Sequence, residues 1–323
     1  MLARLPLVIG LLLGACSGGA GDDPVDAPPI DTPMLDAPVD VPAIDAQLSP
    51  NLGFVVPAAV TKANIENAGA WIEVGDADWS CLGTPSPDQP STGTIALAGR
   101  VRDFQTGNGV GNATITAWST APGSSVGTTT SSEVAVTRGD YAMTLDMLPS
   151  GTRRYGFSLS AASYLDTRVL GRYYPPGSPA TDDLVVVSEA TALALPAFIG
   201  LERDPATALH VGTMLDCQGR HVSNAVVGLS LVPTTYVDAG GQTFYFSAGS
   251  TSLPVRHVVE PVMNNDGRFT VLDAPPGDAL HLQVWGFRTQ AELAAGTLTL
   301  LGEIAAPSEA NQAITMTLHP RRT

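Results

Sequence analysis

Residues 97–118 read LAGRVRDFQTGNGVGNATITAW, and residues 209–229 read LHVGTMLDCQGRHVSNAVVGL. Gly99, Val101, Asp103, Gly107, Val110, Asn112 and Ala113 of the first stretch answer to Gly212, Met214, Asp216, Gly219, Val222, Asn224 and Ala225 of the second, with one residue dropped between Asp and Gly. A second landmark follows each copy, GDYAMTL at 139–145 and GRFTV at 267–271, and each is closed by Pro and Gly (Pro149 and Gly151; Pro276 and Gly277). Repeats spaced by more than about a hundred residues are tandem domains, because solenoid periods are far shorter. Ile95, Leu97, Gly99 and Val101 alternate with polar or small neighbours, as a half-buried strand requires, and Ala113, Ile115 and Ala117 do the same.

Working outward, Tyr141, Met143 and Leu145 form an alternating run, which with 134–136 reads as a hairpin around Gly139. Further strands are expected at 155–159, 165–174 and 184–187 in the first repeat. In the second they are expected at 211–215, 226–232, 280–284, 297–304 and 314–318. Residues 188–199 (SEATALALPAFI) give the best helix, with Ser188 as its cap and Pro196 limiting its length; it joins the two repeats. The insertion at 233–261 carries TFYFSAGST and reads as a protruding hairpin. Residues 60–70 read as a short helix weakened by Gly69, 71–74 as a strand, and 84–92 as a proline-rich connector. Arg321 and Arg322 read as a frayed basic tail.

The order Gly-x-Val-x-Asp, Gly, Val-x-Asn-Ala, Asp-Gly-x-Phe and Pro-x-Gly resembles the carboxypeptidase regulatory-like domains, which are transthyretin-like β-sandwiches. Asp266-Gly267-Arg268-Phe269 matches closely, and Arg138-Gly139-Asp140-Tyr141 is the looser counterpart. The resemblance implies an all-β chain of two tandem Greek-key sandwiches, at 93–200 and 201–323, with an N-terminal extension at 51–92 packed on them. It implies little about function, because one fold hosts many activities.

The front of the chain reads as an address. Residues 1–16, MLARLPLVIGLLLGAC, carry a charged start, nine apolar residues from Leu5 to Leu13, and small residues before Cys16. Nine apolar residues are too few to span a hydrocarbon core, which needs about 20. Leu13-Gly14-Ala15-Cys16 resembles a bacterial lipobox, which implies a signal peptide at 1–15 and an acylated Cys16; an ordinary cleaved secretory signal is the alternative. Ser17 after the cysteine favours the outer membrane by the same resemblance. Residues 16–50 hold seven aspartates, repeated prolines and no basic residue, and read as an extended, disordered stalk. At about 3.1 Å per residue it could hold a domain on the order of 90 Å from a membrane.

Charge and chemistry narrow the function. The formal net charge is −15, which excludes a nucleic-acid partner, since phosphate contacts need clustered Lys and Arg. Lys62 is the only lysine. The histidines, His210, His221, His257, His281 and His319, show no metal-ligand spacing, although His210 and His221 on neighbouring strands could meet Asp216 around a metal. No catalytic constellation, no metal site and no cofactor is expected. With Cys16 acylated and the compartment oxidising, Cys81 and Cys217 are expected to pair, fastening the extension to the first loop of the second repeat; two separate thiols are the alternative. Tyr173, Tyr174, Tyr236 and Tyr245 are the ligand-binding candidates, being aromatics in loops or the insertion, while Phe244 and Phe246 read as core. The expectation is a non-enzymatic, membrane-anchored surface lipoprotein of the cell envelope serving as scaffold, adhesion or ligand-binding module. A polysaccharide-binding accessory protein and a hydrolase with an unrecognised site are the alternatives, and the partners are a membrane plus a polysaccharide or protein ligand.

Overall fold

The computed structural model describes residues 55–119, 121–247 and 253–323. The signal peptide, Cys16 and the stalk lie outside the described residues.

An antiparallel hairpin opens the described chain, β1 (Lys62–Asn67) and β2 (Ala70–Asp76). The helix expected at 60–70 does not form. Ala68 and Gly69 both take positive φ, so the chain reverses between Asn67 and Ala70, and Ile65 pairs with Ile72 across the turn.

The first repeat contributes β3 (Ile95–Asp103), β4 (Thr114–Trp118), β5 (Ser125–Thr130), β6 (Asp140–Leu145), β7 (Tyr155–Ser160), β8 (Asp166–Arg172), β9 (Ala180–Thr181) and β10 (Leu184–Val186). One sheet runs β10-β3-β6, with β9 also pairing β3; facing it, β8, β7, β4 and β5 lie in that order. Between the sheets the inward members of each alternation pack: Ile95, Leu97 and Val101 from β3, Ile115 and Ala117 from β4, Phe157 and Leu159 from β7. The hairpin expected around Gly139 is only half a hairpin. Residues 135–137 form a 3₁₀ turn with Val136 86% exposed, and β6 takes β3 as its partner instead.

Helix α1 (Glu189–Phe198) follows, and its cap Ser188 accepts a hydrogen bond from the Thr191 amide. Ala192 of the helix packs in a small core with Leu165 and Val187 of the first repeat and Leu209, Phe244 and Ala313 of the second.

The second repeat contributes β11 (Ala208–Met214), β12 (His221–Ser223), β13 (Ala225–Ser230), β14 (Gln242–Phe246), β15 (Pro254–Val255), β16 (Arg268–Ala274), β17 (His281–Gly286), helix α2 (Gln290–Ala295), β18 (Thr299–Ala305) and β19 (Gln312–Leu318). Strands β13, β17 and β18 form one face; β14, β16, β11 and β19 form the other. The insertion forms a hairpin, β14 with β15, whose β14 lies in the core sheet. Phe244, Tyr245 and Phe246 are each 1% exposed, and β14 extends the core sheet by pairing with β16. The strand that follows β4 and β13 therefore changes sheet between the repeats, since β5 pairs with β4 whereas β14 pairs with β16.

The shared landmarks sit where the backbone demands them. Asn112 and Asn224 are both left-handed, at φ 56° and 59°, and asparagine tolerates that region better than other non-glycine residues. Asp103 Oδ1 accepts from the amides of Gln105 and Thr106, and Asp216 Oδ1 from those of Gln218 and Arg220, so each buried aspartate organises its loop. The Val101 amide donates to the Gly139 carbonyl at 2.8 Å, and the Met214 amide to the Gly267 carbonyl at 3.0 Å. Both glycines have positive φ, and a Cβ on Gly139 would lie 2.6 Å from the Val101 carbonyl oxygen.

The sandwiches are joined through backbone. Strand β19 pairs in parallel with β8 from Gln312↔Asp166 to Met316↔Leu170, which merges one sheet from each sandwich into a nine-stranded sheet, β15-β14-β16-β11-β19-β8-β7-β4-β5. Arg168 of β8, 5% exposed, reaches across to the Pro307 carbonyl at 3.0 Å and pairs with Glu309. The hairpin is tied to the second repeat through β1 pairing with β12.

Candidate ligand cleft

Where the sandwiches, the connector and the C-terminal residues meet, a cleft of about 640 Å³ opens. That volume falls within the roughly 300–1,000 Å³ of small-ligand sites. Five segments wall it: Asp88 and Arg154 on one side, residues 170–182 from the end of β8 onward, the loop from Asp216 to Gly219, and the C-terminal strand end from Thr317 to Arg322. A second depression of about 280 Å³ shares Arg154, Thr317, His319, Pro320 and Arg322 and adds Glu303 and Arg321.

The walls are held by named bonds. A disulfide joins Cys81 to Cys217, with Cα atoms 5.7 Å apart and a sequence separation of 136. Beside it the Cys217 amide donates to the Asp78 carbonyl at 3.0 Å, and Asp216 Oδ2 accepts from the Asp78 amide at 3.0 Å. The C-terminus is not a frayed tail. The Arg321 amide donates to the Leu301 carbonyl, the Gly83 amide donates to the Arg321 carbonyl, and the Thr323 amide donates to the Thr84 carbonyl.

Inside the cleft, charged pairs are arranged with one polarity. Arg154 Nε lies 2.8 Å from Asp88 Oδ2, and the guanidinium is 36% exposed against 8% for the carboxylate. Arg172 Nε lies 3.3 Å from Asp182 Oδ2, at 30% against 18%. At the loop, Arg220 pairs with Asp216 at 2.6 Å, at 22% against 0%. Each carboxylate is the deeper partner and each guanidinium the shallower. Arg322 Nη1 donates to Thr84 Oγ1 at 2.6 Å, and among the described residues no carboxylate forms an ion pair with it. Lost hydration lowers the pKa of His319, and the guanidinium groups of Arg154, Arg172 and Arg322 lower it further against a smaller opposing pull from Asp88. The imidazole is therefore neutral at pH 7.

The candidate tyrosines divide into two places. Tyr173 lines the cleft half-buried, its hydroxyl accepting from the Gln89 amide at 3.0 Å. Tyr174 also borders it but is only 7% exposed; its ring packs in the first core and its hydroxyl donates to Asp182 Oδ2 at 2.7 Å. Burial, reinforced by Asp182, raises its pKa, so it stays a donor. Tyr245 is core, 1% exposed, with its hydroxyl accepting from the Val227 amide at 2.9 Å, which removes it from the candidates. Tyr236 lies over Gly228, where a Cβ would meet its ring at 2.3 Å, and donates to Asp238. The structure thus forms no single row from these four rings.

The residues that the sequence pattern did not single out are Arg154, Arg172, His319 and Arg322. They come from three separate segments with no periodic spacing, so only the fold assembles them. His210 and His221 do not frame a site with Asp216. His210 is wholly buried in β11, the His221 ring packs on Trp71 with centroids 4.3 Å apart, and Asp216 is engaged by Arg220 and backbone amides. Among the described residues no three His, Cys, Asp or Glu side chains group as metal ligands, and no helix is long and apolar enough to cross a membrane.

No protein-family model matches the sequence, and no curated protein is significantly similar to it. Among solved structures, the shaft pilin SpaA of Lactobacillus rhamnosus GG is 11% identical, with a TM-score of 0.21 over 70% of this chain and 98% of that one. The full-length major pilin RrgB of Streptococcus pneumoniae is 12% identical, with a TM-score of 0.20 over 78% of this chain and 52% of that one. Likenesses at this level carry no argument about what this chain does.

Proposed function

We propose that this chain is a non-catalytic binding module of the cell envelope, tethered by an acylated Cys16 and a stalk, which holds its ligand in the junction cleft. The cleft is the observation that carries the reading. It is of ligand size, it is walled by both sandwiches, and its walls are fixed by a disulfide and by the β19–β8 pairing. A rigid pre-formed cleft binds with little ordering cost. The tether rests on the sequence, through the likeness of Leu13-Gly14-Ala15-Cys16 to a lipobox and the aspartate–proline repeats that follow.

A convergent polar cleft also suits a hydrolase, but the groups present are spoken for. Asp88 and Asp182 are engaged by Arg154, Arg172 and Tyr174, and among the described residues no hydrogen bond joins His319 to Ser178 or Thr317. General acid–base and nucleophilic catalysis both need a titratable group within reach of the reacting atom and matched to its proton transfer. Binding is the chemistry this arrangement serves.

Two experiments test the reading. Cys16→Ser should move the expressed protein from the membrane to the soluble fraction. On arrays of glycans and peptides, the wild type should bind a restricted set, and Arg154→Ala with Tyr173→Ala should lose it. Array binding that survives both substitutions would place the ligand elsewhere.

A further inference from the structure

The polarity of the cleft narrows the ligand. In an acidic chain with only 16 Lys and Arg, this one cleft draws in Arg154, Arg172 and Arg322 from segments far apart in sequence. Of its three lining carboxylates, Asp88 and Asp182 are less exposed than Arg154 and Arg172, the lining guanidinium groups they pair with, and Asp216 is fully buried, so the surface a ligand meets is donor-rich. Two guanidinium groups remain open to a ligand. Arg172 turns its Nε inward to Asp182 and is still 30% exposed, and Arg322 donates to the Thr84 hydroxyl and, among the described residues, forms no ion pair. Burial is the main cause of the lowered His319 pKa, and Arg154, Arg172 and Arg322 add to it as near neighbours on that wall. Between the cations the lining is Tyr173, Pro175 and Pro179, with the hydroxyls of Ser178, Thr181 and Thr317.

We infer that the cleft takes an acidic saccharide, a glycan whose sugar units carry carboxylates, with Arg172 and Arg322 receiving a carboxylate and Tyr173 meeting a sugar face. The match is group by group. Guanidinium groups bind carboxylates in a planar, charge-assisted fork. Hydroxyls pair with ring hydroxyls, and an aromatic ring offers the apolar face of a pyranose a surface. An acidic peptide such as polyglutamate would satisfy the cations but brings no pyranose face to Tyr173. This inference rests on the proposed function, because it assigns a ligand class to the same cleft.

The test uses the full chain in detergent micelles, titrated by calorimetry with three probes: tetragalacturonic acid, neutral maltotetraose and hexaglutamate. Tetragalacturonic acid should bind, and the other two should bind at least tenfold more weakly. Arg322→Gln and Arg172→Gln should each weaken tetragalacturonic acid by about tenfold to a hundredfold, the effect of removing one hydrogen bond to a charged group. Arg288→Gln, outside the cleft, should leave binding unchanged. Equal binding of maltotetraose that Arg322→Gln does not affect would overturn the acidic assignment and leave the cleft as a binding site. Preference for hexaglutamate would overturn the saccharide and keep the charge reading. If none of the three binds, while the arrays find another ligand whose binding depends on Arg154 and Tyr173, this inference fails and the proposed function stands.

Discussion

His210 should make the protein sensitive to mild acid. The side chain is 0% exposed in β11, neither ring nitrogen has a partner, and burial lowers its pKa to about 3. In the unfolded chain the same ring titrates near 6.5. Between these values the unfolded state binds a proton that the folded state refuses, so stability is full above pH 6.5 and is lost as pH falls toward 3. Integrated from pH 7 to pH 5, the loss is roughly 2 kcal/mol. The assay is urea unfolding followed by tryptophan fluorescence at both pH values, on the wild type and on His210→Leu. The leucine variant should be at least as stable at pH 7, because it removes two buried unpaired nitrogens, and its stability should fall by about 2 kcal/mol less on acidification. His221 and His319, also lowered by burial, act in the same direction, so the comparison between proteins isolates His210. Identical pH dependence in the two proteins would refute the reasoning and mean that water or a polar neighbour solvates the ring.

Other outcomes follow from the same geometry. Replacing Cys81 and Cys217 together by alanine should cost up to about 5 kcal/mol, from the loop-closure entropy a 136-residue separation removes from the unfolded chain, measured by denaturant unfolding. Asn224→Val should destabilise by about 1–2 kcal/mol for the left-handed backbone alone, and it also removes the Nδ2 bond to the Val60 carbonyl, whereas Asn224→Gly should be milder. Phe157→Ala, at a position 0% exposed between the first pair of sheets, should cost about 3–5 kcal/mol in thermal or urea unfolding.

The landmarks that repeat in the sequence were readable because each answers a local backbone demand. Left-handed Asn112 and Asn224, the loop-forming Asp103 and Asp216, and Gly139 and Gly267 beside a neighbouring strand recur for that reason. The cap of α1 was readable on the same ground, since Ser188 acts three residues away. Non-local pairing was not. Residues 60–70 look helical until β12 and β2 offer them backbone partners, and β14 looks like a protruding loop until β16 takes its amides. The junction sheet is made of backbone bonds between repeats, which leave no side-chain pattern. The cleft was the least readable part. Arg154, Arg172 and Arg322 have no common spacing, and the Arg321-Arg322 pair reads as a loose tail until Leu301, Gly83 and Thr84 hold it. Of the four tyrosines, loop position alone misjudged Tyr245, whose hydroxyl found an amide in the core.

The most direct test of the binding account is hydrogen exchange of the full chain with and without a saturating array-selected ligand. The account predicts slowed exchange concentrated in residues 170–182, 216–219 and 317–322, the segments that wall the cleft. Protection confined to the surface around Tyr236, or none at saturation, would contradict it.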